Sequence, residues 1–255
     1  MLLCIDIGNT NIKLGLFEGE RMCCHWRIAT DRDRLADEYA VLLLNLFAAQ
    51  NLDLAQITGC AISSVVPGLT PAFGEMAQRY LKLDPLIVGP GTATGMAIHT
   101  DIPGEVGVDL VMNAVGARYL FGAPLIVIGF GTATTFVAVS AAGDIEGVAI
   151  APGVATSGDS LFRATATLPQ VALTRPETAI GKNTVHSLRT GFVIGFGGLV
   201  ERLVAHMRAE LGGSARVIAT GGLAALIAPE APAIEAVEPN LALIGLRLVY
   251  LLNQG

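Results

Sequence analysis

The sequence has little charge. Aspartate, glutamate, lysine and arginine make up only 15% of its 255 residues, hydrophobic residues make up 52%, and the mean hydropathy is +0.59. Two stretches, 54–74 and 119–143, contain no charged residue and are long enough to span a bilayer. Glycine and proline interrupt both, and a spanning helix would have to satisfy its own backbone through those breaks. Buried strands joined by tight turns are the better interpretation, so no membrane partner is expected.

The amino terminus has no basic region ahead of its apolar run, and Asp6 interrupts that run. A secretory signal peptide has a basic start followed by a continuous apolar segment. We therefore expect a cytoplasmic protein. Because a monomer that exposes much apolar surface tends to associate, part of the apolar surplus is expected in a subunit interface.

Positive charge and metal-binding patterns are scarce as well. The net charge is −6, which argues against a broad nucleic-acid-binding surface. No cysteines have the C-x-x-C spacing and no histidines have the H-E-x-x-H spacing, so a zinc site made by protein side chains alone is not expected. We interpret the cysteines as reduced, buried thiols: Cys4, Cys23, Cys24 and Cys60.

Apolar periodicity predicts strands that alternate with helices, which is typical of an α/β fold. Strands are predicted over 2–5, 12–16, 61–66, 85–88, 125–128, 135–139 and 216–219. Helices are predicted over 33–50 and 70–81 and near 157–166, 184–211 and 241–253.

The two halves of the chain repeat one layout. Ile5-Asp6-Ile7-Gly8-Asn9-Thr10 and Ile128-Gly129-Phe130-Gly131-Thr132-Ala133 are both turns between two strands. An internal duplication is the simplest explanation. It predicts two domains, residues 1–117 and 118–255.

The first of these turns has the chemistry of a phosphate cradle. Gly8 lets the backbone approach an anion closely, and successive N–H groups in such a turn bind one. Thr10, Asn11 and Lys13 add donors, and Asp6 could hold Mg²⁺ directly or through water. An ordinary hairpin turn in which Asp6 only caps the backbone would fit the same residues. The second turn at Gly129–Thr135 favours a nucleotide clamp, and Thr220-Gly221-Gly222 after a strand would let a base or ribose lie close to the backbone.

These elements, in this order, resemble the sugar kinase, heat-shock ATPase and actin superfamily. Within it, the chain resembles type III pantothenate kinases over nearly its whole length. The matching segments are Asp6-Ile-Gly-Asn-Thr10, Pro103-Gly-Glu-Val-Gly-Val-Asp109, Phe130-Gly-Thr-Ala-Thr-Thr-Phe136, Ala151-Pro-Gly153, Ala166-Thr-Leu-Pro169, Ile180-Gly-Lys-Asn-Thr184 and Thr220-Gly-Gly222. The resemblance implies duplicated ribonuclease-H-like (actin-type ATPase) domains, each with a mixed sheet flanked by helices.

The resemblance also implies a function: phosphorylation of pantothenate with ATP and Mg²⁺, the first step of coenzyme A synthesis, by a homodimer that uses K⁺ or NH₄⁺. It places ATP at Asp6, Ile7, Gly8, Asn9, Thr10, Asn11, Ile12 and Lys13, with Thr132 at the phosphates. Asp109 matches the general base, and Gly107, Val108 and Thr184 match substrate-contacting positions. Asp109 and Thr184 would also suit N-caps of helices that begin at Leu110 and Val185.

Three positions depart from the family pattern. Leu110 stands where the family has an arginine suited to the substrate carboxylate, and Thr100 stands where it often has tyrosine. Gly129 stands where it has an aspartate associated with the monovalent cation, so the side-chain ligand is absent. Two alternatives therefore remain beside a working kinase: a catalytically impaired paralogue that binds nucleotide or regulates a partner, and a kinase of the same superfamily for another small hydroxylated substrate.

Overall fold

The apolar run at the amino terminus forms the central strand of a mixed five-stranded sheet. In the structure, a computed structural model that describes residues 1–254, β1 (Leu2–Ile7) pairs antiparallel with β2 (Asn11–Glu18). β3 (Arg21–Ala29) continues the meander, while β4 (Gly59–Ser64) and β5 (Leu86–Ile87) add parallel strands on the other side. The strand order is β3-β2-β1-β4-β5.

Alternation along β1 divides its side chains between two faces of the sheet. Leu3, Ile5 and Ile7 are fully buried in a core shared with α1 (Ala36–Ala48) and α2 (Thr70–Met76), which a π-helical turn, Ala77–Leu81, extends. Cys4 and Asp6 lie on the opposite face. The buried carboxylate of Asp6 therefore lies on the face of the sheet opposite to the core that contains Leu3, Ile5 and Ile7.

The second sheet repeats the topology of the first. β6 (Leu125–Phe130), β7 (Ala133–Val139) and β8 (Ile145–Pro152) form an antiparallel meander. β9 (Arg216–Gly221) and β10 (Ala236–Val237) add parallel strands beside β6, in the order β10-β9-β6-β7-β8. The helices of this half are α4 (Val154–Ala164), α5 (Thr184–Glu210) and α6 (Ala224–Ile227). The predicted duplicated, mixed-sheet fold is confirmed.

Two further helices complete the chain, α3 (Val108–Phe121) and α7 (Leu241–Leu252). A β-carbon on Gly245 would overlap the carbonyl oxygen of Met112, and one on Gly116 would overlap the carbonyl oxygen of Leu241. The two backbones therefore touch where the helices cross, and only glycine permits that approach. Short 3₁₀ segments lie at Leu54–Gln56, Pro103–Glu105 and Ala228–Glu230.

The chain divides into two compact units that are not consecutive in sequence. Unit 1 contains Met1–Met96, Gly104–Gly116 and the residues from Leu241 onward, and unit 2 contains Ala97–Pro103 and Ala117–Asn240. The carboxy-terminal helix α7 thus packs with unit 1, against β1 and β4. The domain boundary expected between residues 117 and 118 stays a prediction.

All four cysteines carry free thiols, as predicted, but only Cys4 and Cys60 are buried; Cys23 and Cys24 are half-buried on β3. Burial raises the pKa of Cys60 to about 12, so this thiol stays protonated. Within residues 1–254, none of the helices combines the length and the apolarity needed to cross a bilayer.

Candidate active site

Asp6 lies in the middle of a row of three polar side chains that crosses the first sheet. It pairs with Lys13 on β2 and with Ser63 on β4, and side chains at paired positions lie on the same face. Ser63 Oγ donates a hydrogen bond to Asp6 Oδ1 at 3.0 Å. The carboxylate is only 6% exposed. A charge so well buried is kept in proteins when cationic or hydrogen-bonding groups compensate it.

The electrostatic surroundings of Asp6 include a second carboxylate. Burial raises the pKa of Asp6, Lys13 and the hydrogen bond from Ser63 oppose that rise, and the negative charge of Asp109 adds to it. Lys13 also acts on Asp109. Asp6, Lys13 and Asp109 therefore form one electrostatic group within unit 1.

The turn after β1 is held by residues that follow β3. Thr30 Oγ1 donates to the carbonyl oxygen of Gly8 at 2.7 Å, Thr30 N–H donates to Thr10 O at 3.0 Å, and Arg32 Nη2 donates to Asn9 Oδ1 at 3.1 Å. Gly8 N–H donates to Asn11 O at 3.1 Å, so one expected donor of the phosphate cradle is used within the turn.

The other residues predicted to bind ATP differ in exposure. Asn9 and Thr10 are exposed, and Asn11 and Lys13 are half-buried. Ile7 and Ile12 are fully buried in the core of unit 1. These two residues can therefore offer a nucleotide only their backbone groups.

Asp109 lies in the first turn of α3. The nearby backbone N–H groups of Leu110 and of Asp109 itself lower the pKa of its carboxylate, and the positive end of the helix dipole favours a negative charge there. Asp109 Oδ1 lies 2.6 Å from where a β-carbon on Gly107 would be, so a larger residue at 107 would displace the carboxylate. Burial raises the pKa of Asp109, and its backbone hydrogen bonds and Lys13 oppose the rise. The predicted N-cap role is wrong, because α3 begins at Val108 and Asp109 is already inside the helix.

Two neighbours of Asp109 on α3 differ in polarity. The side chain of Leu110 is 7% exposed and offers no polar group. Asn113 lies one helical turn after Asp109, and its Oδ1 is buried with no hydrogen-bond partner among the described residues. Val108, the remaining predicted contact in this segment, is half-buried.

The remaining predicted site residues belong to unit 2. Thr132 is exposed in the β6–β7 turn, where its carbonyl oxygen accepts a hydrogen bond from Thr156 Oγ1 at 2.7 Å. Gly129 lies near the end of β6, and Thr100 Oγ1 is buried without a partner in the part of the chain that the structure describes. Thr184 is exposed and is the first residue of α5, so its predicted N-cap role is wrong. The cap is Asn183, whose Oδ1 accepts from His186 N–H at 2.9 Å.

The structure thus brings together Asp6, Lys13, Gly107, Asp109 and Leu110 in unit 1. The sequence analysis missed Ser63, Thr30 and Arg32, which hold Asp6 and its turn. Ser63 could have been found only from strand register, since it lies far from Asp6 in sequence. Over residues 1–254 no group of three or more histidine, cysteine, aspartate or glutamate side chains is placed to hold a metal ion. One carboxylate with nucleotide phosphates is nevertheless a donor set that suits Mg²⁺, and Asp6 fits that requirement.

Comparisons with known proteins identify the family of the chain. A family model described as type III pantothenate kinase matches residues 2–206. The type III pantothenate kinase of Roseiflexus castenholzii is 53% identical over 254 residues and covers 100% of both chains. The type III pantothenate kinase of Moorella thermoacetica is 51% identical over 250 residues, 98% of each chain.

A solved structure shares the fold at low identity. The activator of the 2-hydroxyisocaproyl-CoA dehydratase from Clostridium difficile, with bound ADPNP, aligns with a TM-score of 0.56 and 12% identity over 99% of this chain and 94% of that one. The fold is that of the actin-like ATPases, as predicted. The match of the family model and the full-length relatives at about half identity show that the chain belongs to the type III pantothenate kinase family.

Proposed function

We propose that this protein is a cytoplasmic pantothenate kinase, which transfers the γ-phosphoryl group of ATP to the primary hydroxyl of pantothenate in the first step of coenzyme A biosynthesis. The observation that carries the proposal is the grouping of Asp6, Lys13 and Asp109 in unit 1, with Asp109 held over Gly107 at the start of α3. In the reaction the hydroxyl oxygen of pantothenate forms a bond to the γ-phosphorus, and the bond from that phosphorus to the β,γ-bridging oxygen breaks as ADP leaves.

Asp109 is the proposed general base. A base within hydrogen-bond reach of the hydroxyl takes its proton as the new oxygen–phosphorus bond forms. Burial raises the pKa of Asp109, which strengthens it as a proton acceptor. The proton therefore ends on the Asp109 carboxylate.

Asp6 and Lys13 are proposed to bind the nucleotide. Asp6 would hold Mg²⁺, directly or through water, and the ion would neutralise charge on the phosphates. The Lys13 ammonium is a donor for phosphate oxygens, and Ser63 keeps the Asp6 carboxylate in place. Thr10 and Asn11, beside the turn, are the other proposed contacts in unit 1, and the phosphate contact of Thr132 in unit 2 stays a prediction from the sequence.

Gly107, Val108 and Leu110 of unit 1 are proposed to contact the acceptor, and the roles of Thr100 and Thr184 in unit 2 stay predictions from the sequence. Leu110 gives the pantothenate carboxylate no charged partner, so we expect weak binding of that group. Asn113 Oδ1, buried and without a partner among residues 1–254, is suited to accept a hydrogen bond from a second donor of pantothenate, its other hydroxyl or its amide N–H.

A homodimer is proposed as the working form. Unit 2 exposes several large apolar side chains, among them Ile150 at 68%, Ile180 at 73% and Phe162 at 42%. Such surface favours association. Sedimentation velocity should give a dimer mass, and a species that stays monomeric at assay concentration would contradict this part of the proposal.

A panel of acceptors tests the proposed reaction. Release of ADP from Mg²⁺-ATP is measured with pantothenate, with its alcohol analogue that lacks the carboxylate, and with other small hydroxylated acids and sugars. Turnover should be fastest with pantothenate. Faster turnover with another acceptor would favour a different kinase of the superfamily.

A second candidate, a nucleotide-binding protein without turnover, is favoured by Leu110 and Gly129, because each lacks a charged group expected at the site. Stabilisation by ATP together with a blank panel would support it. Turnover of pantothenate dismisses it.

A further inference from the structure

Equivalent rows of side chains cross the two sheets. In unit 1 the row is Lys13–Asp6–Ser63, from β2, β1 and β4. In unit 2 the row is Thr135–Gly129–Thr220, from β7, β6 and β9. The two sheets have the same topology, and Asp6 and Gly129 occupy the same place in the repeated turn sequences. Gly129 is therefore the counterpart of Asp6, and Thr220 is the counterpart of Ser63.

The counterpart hydroxyl groups of Ser63 and Thr220 differ in their hydrogen bonding. Ser63 Oγ donates to the Asp6 carboxylate at 3.0 Å. Thr220 is only 2% exposed, and its Oγ1 has no hydrogen-bond partner among the described residues. Buried hydroxyl groups are nearly always hydrogen-bonded, so an unpartnered one needs an explanation. The explanation is local: Ser63 donates to the carboxylate of Asp6, whereas the residue beside Thr220 is Gly129, which has no carboxylate.

Thr135, the third member of the row, lies close to the place that a side chain at position 129 would occupy. A β-carbon on Gly129 would lie 2.6 Å from Thr135 Oγ1. That oxygen is the end of a short side chain that can rotate, so a larger residue at 129 would require Thr135 to move rather than the backbone. Unit 2 thus presents a row of neutral hydroxyl groups where unit 1 presents a carboxylate and an ammonium group.

We propose that unit 2 has lost the carboxylate of its row and with it the ability to hold a monovalent cation, so that phosphoryl transfer by this protein is independent of K⁺ and NH₄⁺. The resemblance to the family implies such a cation at position 129. The residues present do not fit one, because Gly129 has no side chain and the side chains paired with it, Thr135 and Thr220, are uncharged. Gly129→Asp would restore a carboxylate that Thr220 Oγ1 can satisfy as Ser63 satisfies Asp6.

Thermal unfolding tests the binding claim without using activity. The unfolding midpoint with Mg²⁺-ATP is compared in potassium, ammonium and choline chloride at one ionic strength, for the wild-type chain, Gly129→Asp and the matched neutral variant Gly129→Asn. The wild-type and Gly129→Asn midpoints should be the same in all three salts, and that of Gly129→Asp should rise in potassium or ammonium. A selective rise for the wild-type chain overturns the proposal.

Circular dichroism identifies variants that fail to fold. If Gly129→Asp fails to fold, the double variant Gly129→Asp/Thr135→Ala is used in its place, because it lacks the Thr135 oxygen that the new β-carbon would meet. A folded aspartate variant that responds no more than Gly129→Asn also overturns the proposal.

The activity arm rests on the proposed function. Wild-type turnover of pantothenate should be unchanged among the three salts, whereas Gly129→Asp should turn over faster in potassium or ammonium, by on the order of tenfold. Strong dependence of the wild-type rate on either cation overturns the proposal. Absence of turnover in every salt refutes the proposed function instead, and the unfolding midpoints then decide the cation question by themselves.

Discussion

At the scale of single residues, Asp109 has the two properties that a general base needs. Burial raises its pKa, and the lack of a side chain at Gly107 leaves room for its carboxylate at the start of α3. Burial of a carboxylate also costs folding free energy, because charge is more stable in water. Function and stability therefore make opposite demands at this residue.

Replacement of Asp109 by asparagine should separate these demands. We expect Asp109→Asn to lower kcat for pantothenate by roughly 10²- to 10⁴-fold, since the base is removed. The unfolding midpoint at neutral pH should not fall, because the variant no longer buries a charge. Initial rates and thermal unfolding measure the two effects, with Asp101→Asn at an exposed carboxylate as the control. Retained activity, or a marked loss of stability, would contradict the assignment.

The pH dependence of stability follows from the same burial. The pKa values of Asp6 and Asp109 are raised above the ordinary value of 3.8 on folding, so the folded chain binds these protons more tightly than the unfolded chain. The stability they contribute is present below 3.8 and is lost as pH rises through the raised folded values.

Urea unfolding as a function of pH checks this sign. The free energy of unfolding of Asp109→Asn, relative to the wild-type chain, should increase as pH rises from about 4 towards neutrality. A difference that shrinks over that range would mean that the pKa of Asp109 is lowered by folding.

Leu110 is expected to limit affinity for the acceptor. Leu110→Arg should lower the KM for pantothenate by at least about tenfold through a charge-assisted hydrogen bond to the substrate carboxylate. It should leave the KM for the uncharged alcohol analogue unchanged, and the neutral variant Leu110→Met should change neither. Equal effects on both acceptors would show that position 110 does not contact the carboxylate.

At the scale of elements, the crossing of α3 and α7 supports the start of α3, where Asp109 lies. Gly245 and Gly116 let the two backbones touch. Gly245→Ala should lower the free energy of unfolding by about 3 kcal/mol or more, because its new β-carbon would overlap the Met112 carbonyl oxygen. Gly198→Ala, on an exposed position of α5 with no atom near its β-carbon, should raise it by about 1 kcal/mol. Chemical denaturation of both variants gives the comparison, and similar effects would argue against a tight crossing.

Elements with strong apolar periodicity could be predicted from the sequence. β1, β2, α1 and α5 lie where apolar spacing placed them. β3 was missed because Arg21–Ala29 is an edge strand with mixed polar and apolar residues, which gives no clear alternation. The helix starts predicted at Leu110 and Val185 are too late by two residues and by one residue, respectively. The turn at Gly107 decides where the first helix begins, and the cap at Asn183 decides where the second begins.

Site residues that are close together in sequence could be predicted. Site residues that only the pairing of distant strands brings together could not. The Asp6–Lys13 segment and Asp109 are carried by local motifs. Ser63 beside Asp6, and Thr220 beside Gly129, are brought together only by parallel pairing of strands far apart in the chain. Ile7 and Ile12 belong to the local motif by sequence, but the sheet directs their side chains into the core. For these two residues, closeness in sequence does not place the side chain at the site.

At the scale of the whole molecule, a duplicated fold carries one complete polar row and one that lacks its carboxylate. Unit 1 contains the proposed base Asp109, the carboxylate of Asp6 that is proposed to bind the nucleotide, and the ammonium group of Lys13. The central claim is that the charged groups of unit 1 are sufficient for phosphoryl transfer to pantothenate even though Leu110 and Gly129 lack the charged groups expected of them.

Transfer of label from [γ-³²P]ATP to pantothenate tests that claim most directly. Purified, folded wild-type protein is incubated with Mg²⁺ and both substrates, and the labelled product is separated and quantified beside the Asp109→Asn variant. We predict labelled 4′-phosphopantothenate with the wild-type chain and almost none with the variant. Wild-type protein that binds ATP but transfers no label to pantothenate would contradict the account.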